Sequence, residues 1–195
     1  MNQHLRVSIP DDAAGKRRFT VDEFEQMAMA GILGPDERVE LIAGEIITMS
    51  PVGRFHEVLR GYLAQHWTQA AIGMNLLVMA EMQLRLSDDY QPVADIGVLP
   101  FAILPPDARG PDMLLVVEIA DSSLKMDTTT KAAAYAAAGI RDYWVINART
   151  RETLIHRNPG PEGYTSITTT AASEVSTPLL VPELAIRMAD LPGAE

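Results

Sequence analysis

Two short apolar runs, Leu114–Val117 and Tyr143–Ile146, stand on either side of an alanine-rich stretch, and this order constrains the fold more than any other feature of the chain. Neither run alternates with polar residues, so each reads as a strand buried on both faces. Between them, residues 128–138 carry Lys131 and Tyr135 four apart and stop at Gly139, the pattern of a helix closed by glycine. Strand, helix, strand in that order is a crossover unit with parallel strands. The chain is therefore expected to build around a sheet whose faces are covered by helices.

The flanking segments extend that sheet. Thr20 and Glu23 have capping-box spacing and open a helix over Val21–Ala30, which Gly31 can close. Val39–Ile42 and Glu45–Met49, joined by Ala43-Gly44, read as a hairpin. Residues 54–72 contain no proline, and Phe55, Val58, Leu59, Tyr62, Leu63 and Trp67 repeat at helical spacing, so the longest helix lies there. Leu76–Met79, Met82–Leu86 and Val93–Leu99 read as strands, with a turn at Ser87-Asp88-Asp89 and a loop over Pro100–Pro111. Glu152–Arg157 and Tyr164–Thr169 form a second hairpin across Asn158–Gly163, and Val181–Leu191 finishes the chain. The expectation is a single α/β (α+β) domain over 19–195, with a central mixed sheet, the 54–72 helix on one side and the 128–138 helix on the other. Residues 1–18 are expected to form a mobile arm.

Composition narrows the chemistry. At 195 residues with 47% hydrophobic, the chain can bury one sizeable core. It has no cysteine, which removes disulfides, thiolate catalysis, zinc–thiolate sites and iron–sulfur ligation. Any metal must sit on oxygen or imidazole. No apolar stretch approaches the roughly 20 residues of a membrane span, and Met1–Lys16 lacks an apolar core of the secretory kind, so a cytoplasmic protein with no membrane contact is expected. A formal net charge of -10 argues against a protein that coats phosphates indiscriminately. Phosphate-loop, dinucleotide, zinc-peptidase and serine-hydrolase signatures are all lacking.

Two acids interrupt otherwise apolar strands: Asp95 in Val93–Val98 and Glu118 in Leu115–Ile119. A buried carboxylate is costly unless it is paired, hydrogen-bonded or bound to a cation. If the two strands are neighbours, their oxygens converge and suit Mg²⁺ or Mn²⁺. Lys131, near the start of the following helix, could stabilise developing phosphate charge. Each residue also has a plainer reading. Either acid alone could be a salt bridge or a strand-end side chain. Lys131 could be a solvated partner of Asp127, Glu40 a rim carboxylate paired with Arg38, and His56 a surface or capping residue. Tyr135 and Trp144 fit a core, and Tyr62, His66 and Trp67 fit packing or helix surface.

The ordered series Arg38–Ile46, Ser50-Pro51 with His56, Ala94–Ile96, Leu115–Ile119 with Ser122-Ser123, and Asp127…Lys131…Tyr135…Gly139-Ile140…Tyr143–Ile146 resembles the Uma-type restriction endonucleases, a bacterial family of the PD-(D/E)XK nuclease superfamily. The similarity runs from about Phe19 to Leu191. It implies a restriction-endonuclease-like core, with Asp95 as the metal-binding aspartate and Glu118 as the second acid. It implies that Lys131 serves as a catalytic lysine moved from strand to helix, that Glu40 is an acid contributed from the N-terminal part, and that His56 is a family histidine. This chain departs from the pattern at Ala120, where the superfamily places lysine, and at Ala94, where it places proline. It also departs at Ala120-Asp121-Ser122-Ser123, where the family has Leu-Ser-Pro-Ser, so that Asp121 becomes a candidate for the metal shell. The resemblance implies a Mg²⁺- or Mn²⁺-dependent DNA endonuclease, and short exposed strands able to pair across a two-fold axis make a homodimer the default expectation. The alternatives are a nuclease-fold dimer that no longer cuts and serves as a binding or scaffold module, and a metal hydrolase of small phosphoesters.

Overall fold

The computed structural model describes residues 15–49 and 51–193. Most of the expected arm, residues 1–14, lies outside them, as does Ser50. Two residues early in the described chain are tied to the Ala43-Gly44 turn: Arg18 donates to the Ala43 carbonyl, and the Phe19 amide donates to the Gly44 carbonyl at 2.8 Å.

Helix α1 (Val21–Met29) starts at a complete capping box between Thr20 and Glu23 and buries Val21 and Phe24 against Leu41. Strands β1 (Val39–Ile42) and β2 (Glu45–Thr48) form the expected hairpin. Its two-residue loop has positive φ at both Ala43 (51°) and Gly44 (75°), which matches the right-handed twist of the strands it joins. An isolated bridge between Leu41 and Gln91 fastens the hairpin to the segment leading into the main sheet.

Helix α2 (Arg54–Ala70) covers one face of that sheet. Its buried stripe is narrower than the sequence spacing suggests. Leu59, Leu63 and Trp67 are fully buried, whereas Phe55, Val58 and Tyr62 are about two-fifths exposed. Helical spacing specifies which residues share a side, but tertiary packing decides how far round the helix burial extends.

Six strands make the sheet, in the order β3 (Leu76–Gln83), β4 (Val93–Pro100), β5 (Leu115–Ala120), β6 (Asp142–Asn147), β7 (Thr153–Gly160) and β8 (Gly163–Thr170). All neighbours are antiparallel except β5 and β6, which are parallel and joined by the expected crossover. The two strands expected over Leu76–Met79 and Met82–Leu86 are one, β3, which ends at Gln83. Pairing skips Glu81, whose φ is 51°. That local break, where Arg38 and Arg60 both reach the Glu81 carboxylate, is what the sequence shows as a boundary.

The crossover is a helical stretch of three parts: α3 (Leu124–Met126), a π turn over Asp127–Lys131, and α4 (Ala132–Ala137). It starts earlier than the expected 128–138. Two apolar layers result. One joins α2 to Ile96, Val98, Leu115, Val117, Ile119 and Trp144; the other joins Ala132 and Tyr135 to Ala94, Val116, Tyr143 and Val145. The alternation of Leu115 to Ile119 between the layers is the strand period of two. Trp67 and Trp144 meet edge to face at 6.0 Å, and the Trp67 indole N–H donates to the Leu184 carbonyl at 2.8 Å, drawing in the C-terminal segment. The short strands β9 (Val175–Ser176) and β10 (Ile186–Arg187) lie in that segment. No helix among the described residues is long and apolar enough to cross a membrane.

Candidate functional site

Strands β4 and β5 are paired through Ile96 and Val117, and their ladder stops there. Asp95 and Glu118 are next in line on the two strands. In place of a further backbone bond, the Asp95 carboxylate accepts the Ile119 amide through Oδ2 at 2.7 Å. The two strands part where the two acids stand, and the space between them opens into a cleft of about 530 Å³. The β1–β2 hairpin and the residues before α2 wall one side; the other is walled by residues 121–131.

The acids are brought to that cleft from distant parts of the chain. Glu40, on β1, is buried and accepts the Val93 amide at 3.2 Å. Lys131 closes the π turn and sends its ammonium between two carboxylates, 3.0 Å from Glu40 Oε2 and 3.3 Å from Glu118 Oε1. The wider π turn re-aims one turn of helix, and such turns recur at functional sites. Here it puts both of its ends, Asp127 and Lys131, into the protein interior. The Tyr135 hydroxyl donates to the same Glu118 Oε1 at 2.7 Å. His56 Nε2 lies 2.9 Å from Asp95 Oδ1, which makes Nε2–H the donor when the ring is neutral. His56 Nδ1 is buried and has no hydrogen-bond partner among the described residues.

The plainer readings of Glu40 and Lys131 do not hold. Arg38 reaches Glu81, not Glu40, and the Lys131 side chain is only 6% exposed. Asp121 lines the cleft, but its Oδ1 takes the Arg149 guanidinium at 2.8 Å. The structure thus gathers Glu40, Asp95, Glu118, Lys131 and His56 and sets Asp121 at the edge.

Two further residues belong to the site although the sequence pattern does not mark them for it. Periodicity assigns Tyr135 to the core, which is true of its ring but omits its hydroxyl. Spacing makes Asp127 a surface partner of Lys131, yet it is 2% exposed and accepts the Ser123 hydroxyl at 2.5 Å. The signal for both is the four-residue spacing of Asp127, Lys131 and Tyr135, which marks one side of a helix but not which way that side faces.

Burial, with some help from neighbouring acids, raises the proton affinity of two of these carboxylates. Burial pushes Glu118 well above the ordinary carboxylate range; Lys131 pulls it back, and Asp95 and Asp127 push it up again. Burial likewise lifts Asp127 to about 6, against the Ser123 hydrogen bond and Lys131. Burial disfavours the charge on Lys131, but Glu118 and Glu40 outweigh it and keep the ammonium protonated above its usual range.

The donor set fits a hard divalent cation. Five carboxylates line the cleft against three lysines and arginines, leaving it negative, and all the acidic donors are oxygen. No group of three or more histidines, aspartates or glutamates among the described residues is gathered closely enough to hold a metal unaided. Asp95 and Glu118 would supply two ligands, with water and a phosphate oxygen completing the shell, a common arrangement for Mg²⁺.

Residues 21–189 match the family model described as "Uma2: Putative restriction endonuclease". The fold is similar to the crystal structure of "a putative nuclease belonging to DUF820" from Anabaena variabilis ATCC 29413. The two chains are 17% identical with a TM-score of 0.69, over 89% of this chain and 97% of the other. No curated protein matches the chain.

Proposed function

The chain belongs to the Uma2 restriction endonuclease family, and from that membership and the acid cluster we propose that it is a divalent-metal-dependent endonuclease that hydrolyses DNA phosphodiesters. The observation that carries the proposal is the meeting of Asp95 and Glu118 where β4 and β5 part, with Lys131 held against the second acid. A Mg²⁺ or Mn²⁺ ion on Asp95 and Glu118 would supply polarisation of a phosphoryl oxygen and a water of lowered pKa.

The protein's own residues have distinct parts. The Ile119 amide and His56 each take one oxygen of Asp95 and hold its orientation. Lys131 places a permanent positive charge beside the position where phosphate charge grows, and Glu40 keeps it there. In the overall reaction a water oxygen bonds to phosphorus as the bond to the leaving sugar oxygen breaks, and that oxygen takes a proton.

Calorimetric titration of Mn²⁺ into the wild type and Glu118→Gln, followed by plasmid cleavage with Mg²⁺ or Mn²⁺, tests the reading. Binding and cleavage in the wild type that are both lost in the variant support it. A folded wild type that takes up no metal with or without DNA overturns it. One observation favours the non-cutting alternative: Lys131 is engaged by two carboxylates at once. Metal binding without cleavage of any nucleic acid would select that reading.

A further inference from the structure

Arg149 is tied to Asp121, a residue that lines the cleft, in an arrangement that a surface ion pair does not need. Its Nε donates to Asp121 Oδ1 at 2.8 Å, and its guanidinium carbon lies 5.0 Å from the centre of the Phe55 ring. The backbone under it is also held, because the amides of Arg149 and Thr150 both donate to Asn147 Oδ1, at 2.9 and 3.0 Å. The side chain is nevertheless 64% exposed, and among the described residues no hydrogen bond falls on either Nη atom. Asp121 is itself confined: a Cβ on Gly53 would stand 2.1 Å from its Oδ2. Phe55 is the neighbour of His56, which touches Asp95. A guanidinium fixed by its Nε and its flat face, with both terminal amino groups left without a hydrogen bond among the described residues, is preorganised for a tetrahedral oxyanion. The negative cleft adds a reason for a cation at its mouth, since a polyanion must approach five carboxylates.

We propose that Arg149 binds a backbone phosphate of a nucleic acid strand, flanking the phosphodiester presented to the acid centre. This rests on the nuclease reading and names one of its substrate contacts. Asp121 is then a positioning residue for Arg149, not a metal ligand.

The test is fluorescence anisotropy with a labelled oligonucleotide, single-stranded or duplex, across a salt series. The full chain is used with Glu118→Gln as parent, so that binding is read without cleavage. Loss of one phosphate contact lowers the slope of log affinity against log salt by about 0.7 for a single strand or about 0.9 for a duplex. Arg149→Ala is expected to show that loss and to weaken binding roughly five- to tenfold. Arg149→Lys, which keeps the charge but not the planar fork, should recover only part of it. Arg109→Ala, at an exposed arginine that does not line the cleft, should match the parent. An unchanged slope in Arg149→Ala, or equal losses in Arg149→Ala and Arg109→Ala, overturns the Arg149 site while leaving the nuclease reading standing. A folded parent and wild type that bind neither probe overturn both.

Discussion

Lys131 Nζ lies 3.0 Å from Glu40 Oε2, joining the crossover helix to the N-terminal hairpin through two side chains that are only 6% and 5% exposed. Removing one member of a buried ion pair leaves an uncompensated charge, which costs more than the pair contributes. Lys131→Met is therefore expected to destabilise the protein by about 3 kcal/mol at pH 8. Without the ammonium, Glu118 holds a proton still more tightly in the folded state than in the unfolded one, so the loss should shrink as pH falls. Urea unfolding at pH 8 and pH 5.5 measures both effects; equal losses at the two pH values would count against the pairing.

Asp127 offers a second test of burial. Its pKa rises from 3.8 to about 6 on folding, with burial the main cause. Below the unfolded value both states are protonated and the group contributes nothing. As pH climbs from about 4 to 6, the unfolded state ionises first, so stability falls, and it levels off above the folded value. Asp127→Asn removes this dependence. In metal-free buffer the variant should match the wild type near pH 4 and exceed it by about 2–3 kcal/mol above pH 7. Parallel stability curves for the two proteins would contradict the assignment.

The rings of Tyr135 and Tyr143 lie tilted against each other at 4.7 Å, both fully buried, but their hydroxyls go to different places. Tyr135 donates to Glu118 Oε1, whereas Tyr143 donates to the Asp127 carbonyl at 2.9 Å. A hydroxyl that donates to a carboxylate favours its ionised, metal-binding form and holds its rotamer. Tyr135→Phe should weaken Mn²⁺ binding by about tenfold, and Tyr143→Phe should leave it within about twofold of wild type. Calorimetry on variants of similar thermal stability separates the two; equal affinities would deny Tyr135 a part in holding Glu118.

Gly110 tests the packing at the end of α4 away from the cleft. A Cβ there would stand 2.0 Å from the Ala138 carbonyl oxygen and 2.8 Å from its carbon, both backbone atoms that cannot swing away. Gly110→Ala should force the β4–β5 loop off the end of α4 and cost about 2–3 kcal/mol. A urea midpoint equal to that of the wild type would show that this contact is not tight.

The local sequence is sufficient for the crossover unit, both hairpins, the capping box of α1 and the presence of Asp95 and Glu118 in apolar strands. Those features depend on periodicity and on turn residues, which act within a few positions of one another. The apolar character of Val93–Val98 and Leu115–Ile119 is enough to mark two acids as out of place. What the sequence leaves open is the pairings. Glu40 could have met Arg38 and instead meets Lys131, because the hairpin is pinned at Gln91 against the main sheet. Asp127 becomes a cleft residue and Tyr135 a partner of Glu118 along a helix that carries a π turn, which a pattern of alanines and threonines does not announce. Phe55 and Tyr62 share the helical spacing of Leu59 and Trp67 yet remain partly in solvent. Arg149 reaches Asp121 and Phe55 from beyond the far end of β6. Charges and rings meet where remote elements pack, and burial sets how strongly they act on one another, so these relationships belong to the tertiary structure alone.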